Sequence, residues 1–484
     1  MMRVSIRVRA AACCAALALL SVPAVADEGF GFGDAGTDTT TPASGGAAST
    51  GVGVSIGGEA AASATAFIDE MDGSDEVGEI RLGDLFSGSL EASASGSRAE
   101  AFIGLDLAPA TDGESPVSLG EAYVRVFLGK LDVECGLRKL TWGKADSQGP
   151  LDAINPLDLT DLTVTDALDR KIPQPMLHLS YALGSFTKAE AVFIPGFEGH
   201  DIAYDGRWKP SRLDRVQGGL AAVASARAAA LIGAGQPTEA ARVLSQLQAL
   251  DTEGLVPDDG GLRHSLAALR VTTTVGSTDL GFQYLYGKLP TPAISVDAVS
   301  LYDAANDLHP EAIHIAYNRY HQIGADAARV VAGFNLRAEA AVNLTEDLDG
   351  DDGEVYNPAV LWSIGFDRDV VLGVNLNAQA AGSVRLMNDG VEDSLGDTEA
   401  FTDPTHTTVT VKLTKKFLRD TLELSCAALW GIEDRDWLAM PSVVWAIGDA
   451  ELEVFAGFFG GDDEGDLGQY GENDYLGISL SYAF

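Results

Sequence analysis

Long apolar runs are missing from the body of this sequence. None reaches the roughly 18 residues that a membrane-crossing helix needs, so a helical membrane protein is not expected. Basic residues are scarce. Lys and Arg number 32 against 71 Asp and Glu, a formal net charge of −39, and three of the arginines lie in the first nine residues. With no basic patch, nucleic acid is not an expected partner. Cysteine is limited to four residues, two of them in the leading segment. Cys135 and Cys426 remain, each on the apolar face of an alternating run. They read as small packed or lipid-facing residues rather than a disulfide or a site. The seven histidines are scattered, and no His-Glu-x-x-His or other metal-ligand spacing occurs. A Gly-x-Ser-x-Gly elbow and a glycine loop leading to a phosphate-binding Lys are absent too. No catalytic residue, metal or cofactor is expected, and the chain does not read as an enzyme.

The two ends of the chain are more informative. Arg3, Arg7 and Arg9 precede an apolar stretch, Ala10 to Val22, too short to span a bilayer. Ala24-Val25-Ala26 then supplies a small-x-small cleavage pattern. Residues 1–26 are therefore expected to be a cleavable export signal. Residues 27–50, rich in Gly, Ala, Thr and Asp, read as a flexible periplasmic lead-in. At the other end, Leu476, Ile478, Leu480, Tyr482 and Phe484 share one face of a strand. Gly477, Ser479, Ser481 and Ala483 share the other. A closing amphipathic strand that ends in Phe484, with Tyr482 on the same face, resembles the final strand of bacterial outer-membrane barrels. That resemblance implies recognition by the barrel assembly machinery.

Alternation dominates from residue 51 onward. Ala122, Val124, Val126 and Leu128 oppose Glu121, Tyr123 and Arg125. Leu336, Ala338, Ala340 and Val342 oppose Asn335, Arg337, Glu339 and Asn343. Leu372, Val374, Leu376, Ala378 and Ala380 oppose Asn375, Asn377 and Gln379. Many runs reach ten or more residues, longer than the usual ~5–6 and matching the ~9–11 that cross a bilayer at a tilt. Short links fall near residues 95–98, 129–131, 184–185, 276–279, 367–369, 416–421 and 448–450, with a medium link near Ile323–Ala328. Longer links fall between them. Short periplasmic turns alternating with long external loops define a transmembrane antiparallel β-barrel, all-β, over residues 51–484. The count is about 18 strands, with 16 the nearest alternative, and outer-membrane lipid is its expected surroundings. One segment breaks the pattern. Residues 210–250 read as a helical hairpin, interrupted at Gly233-Ala234-Gly235 and restarted at Pro237. By parity it lies in an external loop, where it caps the pore, folds inward or stays solvated.

The most distinctive stretch follows the strand ending at Arg138. Trp142-Gly143 is followed by Asn155-Pro156-Leu157-Asp158. Here the chain resembles a family of uncharacterised porin-like outer-membrane barrels, with matches at Arg138, Trp142, Gly143, Asn155, Pro156 and Asp158. The resemblance implies a barrel and transport, and it supplies no substrate. Read on their own, Val133, Cys135 and Leu137 face lipid, whereas Asp132, Glu134, Arg138 and Trp142 face the lumen. Asn155-Pro156 makes a rigid turn, and Asp158 is placed to hydrogen-bond locally or to cap a short helix. A loop fixed this way is expected to fold into the barrel and narrow it. The expected lumen carries both signs: Glu59, Glu91, Glu100, Glu121, Glu134, Glu339, Glu423 and Glu453 with Arg98, Arg125, Arg138, Arg337, Arg385 and Lys412. Glu121, Arg125, Glu134 and Arg138, on adjacent strands, are the expected charged constriction. Two acidic loops, Asp347–Glu354 and Asp462–Asp466, depart from EF-hand spacing and read as solvated.

Three functions follow from these observations. The first is an exported channel for small solutes. The second is a plugged surface barrel that binds or builds structure, and a barrel hydrolase is third. The sequence leaves substrate and oligomeric state open.

Overall fold

The computed structural model describes residues 52–68, 77–81, 86–108, 115–146, 149–250, 255–257 and 261–484. The expected export signal and lead-in lie outside these residues. Alternation becomes a wall of eighteen strands. They are β1 (Gly53–Ile68), β2 (Ser87–Ser95), β3 (Ala99–Leu107), β4 (Val117–Leu128), β5 (Leu131–Arg138) and β6 (Gln174–Ala182). Next come β7 (Thr187–Ile194), β8 (Leu266–Val275), β9 (Thr278–Lys288), β10 (Arg319–Val331), β11 (Phe334–Thr345) and β12 (Ala359–Asp369). The last are β13 (Asn375–Arg385), β14 (Thr405–Phe417), β15 (Leu422–Gly431), β16 (Trp437–Ile447), β17 (Ala450–Gly460) and β18 (Tyr475–Ala483). Each pairs antiparallel with the next. The sheet closes where β1 meets β18, from Glu59 opposite Ala483 to Phe67 opposite Tyr475. A further short strand, Val77–Arg81, pairs with the far end of β1.

Closure of β1 on β18 gives each of the eighteen wall strands a partner on both sides, so the ladder satisfies backbone groups without water. An eleven-residue strand rises about 36 Å and, tilted by about 45°, covers about 25 Å of membrane thickness. Side chains on the outward register are apolar and uncovered. On β18, Leu476, Ile478, Leu480 and Tyr482 are each about half exposed, as expected of a face that meets lipid.

One end of the barrel carries tight turns, the start of β1 and the end of β18. The other carries all the long connections, as the alternation of link lengths predicts. Two details differ. The expected link at Ile323–Ala328 is absent, because β10 runs unbroken from Arg319 to Val331 and turns at Ala332-Gly333, both at positive φ. Its run of small residues serves packing instead: a β-carbon on Gly324 would lie 2.3 Å from Leu151 Cδ2. Leu372, expected in a strand, sits at φ 65° in the turn between β12 and β13.

The helical hairpin forms as expected, as α1 (Ser211–Gly233) and α2 (Pro237–Gln248). Gly235 at φ 75° ends the first helix, and Pro237 starts the second. By length and composition α1 is apolar enough to cross a membrane, contrary to the sequence expectation. The alanines responsible are spread among polar residues, so no unbroken run signals it. The structure uses that apolar face elsewhere. Leu220, Ala224, Ala228 and Leu231 pack with Val243 of α2 and with Val296, Leu301 and Ile313 of the β9–β10 connection. Arg212 Nη1 donates to Tyr356 Oη at 2.9 Å, and Arg227 Nε donates to Asn306 Oδ1 at 2.8 Å. The hairpin is thus braced on other long connections.

Candidate functional site: an inward connection and a charged wall

The 35 residues between β5 and β6, 139–173, leave the rim and enter the barrel. Asn155 closes the base of this connection. Its Oδ1 accepts from Leu140 N at 2.8 Å, and its Nδ2 donates to Arg138 O and Ile172 O, each at 2.9 Å. One side chain thereby satisfies three backbone groups on both limbs. An amide can do this because it is acceptor and donor at once. Lys171 adds a second clasp, reaching Asp152 at 2.8 Å, Leu140 O at 2.8 Å and Thr141 Oγ1 at 2.7 Å, with both charged side chains buried. Burial works against both charges. It pushes the Asp152 carboxyl up and the Lys171 ammonium down, and each partner opposes the shift. Asp158 Oδ1 accepts from Thr160 N at 2.9 Å, the local hydrogen bond rather than a helix cap. Pro156 O accepts from Ile172 N at 2.9 Å.

The tip of the connection is held by the opposite wall. Glu339 on β11 accepts from the backbone N–H groups of Lys144, of Ala145 at 2.8 Å and of Leu151 at 3.4 Å. Gly143 makes this possible. It holds φ 108°, and a β-carbon there would lie 2.4 Å from Glu339 Oε1. Asp146 N donates to Gln379 Oε1 at 3.0 Å, and its carboxylate pairs with Arg337. Gln283 Nε2 donates to Leu151 O at 3.0 Å, and Gln322 Nε2 donates to Pro150 O at 3.1 Å. Trp142, expected to face the lumen, is buried there. It packs with Leu140, Ile154, Met176 and Tyr320, and the Arg270 guanidinium lies 5.9 Å from its ring. Arg270 itself pairs with Asp326 at 2.5 Å, with almost no exposure on either side.

Glu121, Arg125, Glu134 and Arg138 come together as the register predicts. Arg125 Nη2 is 2.7 Å from Glu134 Oε1, Arg138 Nε is 3.3 Å from Glu134 Oε2, and Arg138 Nη1 is 3.5 Å from Glu121. Arg138 also lies over the Tyr123 ring at 4.0 Å. Sequence reasoning missed how far the ladder runs. His178 on β6 lies 3.5 Å from Glu134 and 3.2 Å from Glu190 on β7, which Lys188 approaches at 3.2 Å. Parity held the signal, since His178 and Glu190 fall on the inward register of their strands. Leu137 departs from expectation. It is 1% exposed rather than lipid-facing, set between Ala122 and Pro175 where the chain leaves the wall. Arg385 sits at the rim that carries the long connections rather than in the lumen, and there it binds Thr402 and Asn388.

The wall therefore has two halves. From β5 to β13, inward residues such as Glu134, His178, Arg270, Gln322, Asp326, Glu339 and Gln379 are buried by the connection and by each other. From β14 round to β2, inward Thr410, Ser425, Ser442, Ser479, Ser63 and Ser89 are not buried, and Glu59, Glu91 and Lys412 are exposed. A cavity of about 360 Å³ opens beside the connection, bounded by Pro150, Ile154, Glu198, His200, Lys288 and His406. The second long connection, 195–265, borders the same mouth. Its Trp208 is buried among Phe67, Phe459, Tyr470 and Tyr475 on the β17–β18–β1 side.

A closed eighteen-stranded antiparallel barrel with an inward-folded connection is the class that this architecture defines. The chain belongs to the family described as "Protein of unknown function (DUF1302)", whose model matches residues 91–396. No curated protein matches it in sequence. Among solved structures it is similar to the outer membrane channel DcaP of Acinetobacter baumannii, at 9% identity and TM-score 0.42. That match covers 91% of this chain and 99% of the other. It is also similar to Pseudomonas aeruginosa OccK9 (OpdG), at 10% identity and TM-score 0.48, covering 90% and 98%. A third is Wzi of Escherichia coli, an outer membrane protein described as a carbohydrate-binding β-barrel. There the identity is 11% and the TM-score 0.45, covering 89% and 84%.

Proposed function

We propose that the chain is an outer-membrane channel for small polar solutes, which pass along the open half of the lumen beside the inward connection. The supporting observation is the asymmetry of the wall. The connection is latched to β9–β13, and the facing half keeps small hydroxyl-bearing and charged side chains accessible. A charged wall inside a membrane is stable only against water or partners; here Glu134, Arg270 and Glu339 have partners, and in this reading water meets the open half. The Glu121–Arg125–Glu134–Arg138 cluster is the reading's selectivity element. Its charges are fixed by neighbours, and Arg125 keeps 28% of its side chain exposed. In this reading residues 1–26 direct export and are removed. The closing strand with Tyr482 and Phe484 is what the barrel assembly machinery reads, and the tight-turn end is periplasmic.

A second reading has one specific observation in its favour. The 195–265 connection is braced at both sides of the mouth, by buried Trp208 and by Arg212, which would suit a plugged binding barrel. Single-channel recording on the refolded mature chain in a planar bilayer separates the two. Steady conductance steps support the channel. A correctly folded but silent barrel overturns it, and deletion of residues 210–250 would then be expected to open the pore.

A further inference from the structure

Three external elements bring a histidine and two aspartates to one point at the mouth. His406 lies at the start of β14, Asp434 in the β15–β16 connection and Asp466 in the β17–β18 connection. One ligand atom from each falls within 4.8 Å of the others. His406 Nδ1 is 3.7 Å from Oδ2 of Asp434 and 3.7 Å from Oδ2 of Asp466. These separations are too long for hydrogen bonds. They do suit ligands of one ion, since atoms held about 2.1 Å from a tetrahedral cation stand about 3.4 Å apart.

The surroundings support a cation there. His406 Nε2 is 3.2 Å from Thr408 Oγ1, so the ring is held through its other nitrogen, as metal-bound imidazoles are. When Nε2–H donates to that hydroxyl, Nδ1 turns its lone pair toward two carboxylates. Only a proton or a cation between them makes that favourable. Negative charge is in excess as well. Asp436 is 1% exposed, and its Oδ2 accepts from Leu467 N at 2.5 Å and Gly468 N at 3.2 Å. Its buried Oδ1 has no donor among the described residues. Glycine at 465 allows the connections to meet: a β-carbon there would lie 2.9 Å from Asp434 Cβ and 2.7 Å from Asp436 Oδ2.

We propose that His406, Asp434 and Asp466 bind one divalent transition-metal cation, which ties three external elements together at the mouth. One imidazole and two carboxylates suit zinc and its first-row neighbours, whereas calcium prefers six to eight oxygens. Three protein ligands leave a position for water or a solute oxygen. The site adjoins the cavity beside the inward connection, which His406 also lines. Spacing along the sequence conceals it, because the ligands come from three separate elements.

The test is calorimetric titration of the refolded mature chain with zinc chloride, with cobalt absorbance as a readout of coordination. Because it measures binding and not passage, its outcome is independent of the channel reading. We expect one zinc per chain. His406→Ala and Asp434→Asn should each weaken binding by more than tenfold, Thr408→Val should weaken it by roughly tenfold, and Asp463→Asn should leave it unchanged. A wild-type chain that takes up no zinc overturns the proposal, as does zinc binding that both ligand variants retain in full. Should either variant fail to fold, the wild-type titration and the cobalt spectrum still decide.

Discussion

Glu339 occupies the space that any side chain at residue 143 would need. A β-carbon on Gly143 would stand 2.4 Å from Oε1, and one on Gly149 would stand 2.4 Å from Oε2. The carboxylate is thus seated between two glycines, with the amides of Lys144 and Ala145 turned toward it. Glu339→Ala is expected to leave those amides without an acceptor, at about 1.5–3 kcal/mol for each charge-assisted bond. The freed tip should give larger, noisier conductance steps and a new protease-sensitive site within residues 143–152. Gly143→Ala should do the same, through strain at φ 108° and the clash. Wild-type conductance and protease resistance in both variants would mean that Glu339 does not hold the tip.

Asn155 is expected to be the most sensitive residue at the base. Its amide serves three buried or half-buried backbone groups. Asn155→Ala strands all three, an expected loss of about 2–4 kcal/mol in the resistance of the connection to opening. Asn155→Asp should be as damaging or more so, because a carboxylate cannot donate to the carbonyls of Arg138 and Ile172. Hydrogen exchange at Leu140 N reads this directly. Exchange no faster than wild type in either variant would show that the base is held by something else.

The barrel was legible because its signal is local. Alternation shows which face a residue takes, and tight turns separated by long links give parity, so the eighteen strands and the Glu121–Arg125–Glu134–Arg138 cluster follow from register. Residues whose partners lie across the lumen were not legible. Nothing near Glu339 in the sequence marks it as the seat for residues 143–151. The Ile323–Ala328 stretch, with Gly324 and three alanines, resembles a link until Leu151 is seen packed against Gly324. The Trp-Gly and Asn-Pro elements stood out as a pattern, but their work of fixing a re-entrant connection becomes visible only once both limbs are placed.

His200 is expected to give the long connections a pH dependence. Its Nδ1 accepts from Leu157 N at 2.8 Å, which requires the unprotonated nitrogen, and burial lowers its pKa from 6.5 to about 4. Between those values the opened form binds a proton that the closed form refuses. The contribution of this contact is complete above pH 6.5, falls as pH drops toward about 4 and changes no further below that, an upper limit of about 3 kcal/mol. Protease susceptibility of the 195–202 segment should therefore rise as pH falls from 6.5 to 4. His200→Phe should flatten that rise, and a variant that retains the full pH response would assign it to another group.

In the proposed channel, Arg125 is the group through which the wall cluster would act on passing ions. Its Nε and Nη2 both engage Glu134 Oε1, at 2.8 Å and 2.7 Å, while the side chain keeps contact with the lumen. Glu134 keeps Arg138 as a partner, at 3.3 Å, when Arg125 is replaced. Arg125→Gln should therefore add a net negative charge to the wall and move the reversal potential under a salt gradient toward cation preference. Glu121→Gln should move it the opposite way, because Arg138 loses one of its two carboxylates. Both shifts should grow at low salt, where the screening length is about 30 Å at 0.01 M against about 10 Å at 0.1 M. Equal reversal potentials in wild type and both variants would make the ladder a brace of the wall, and ion preference would then have to come from the exposed charges Glu59, Glu91 and Lys412 on the opposite half.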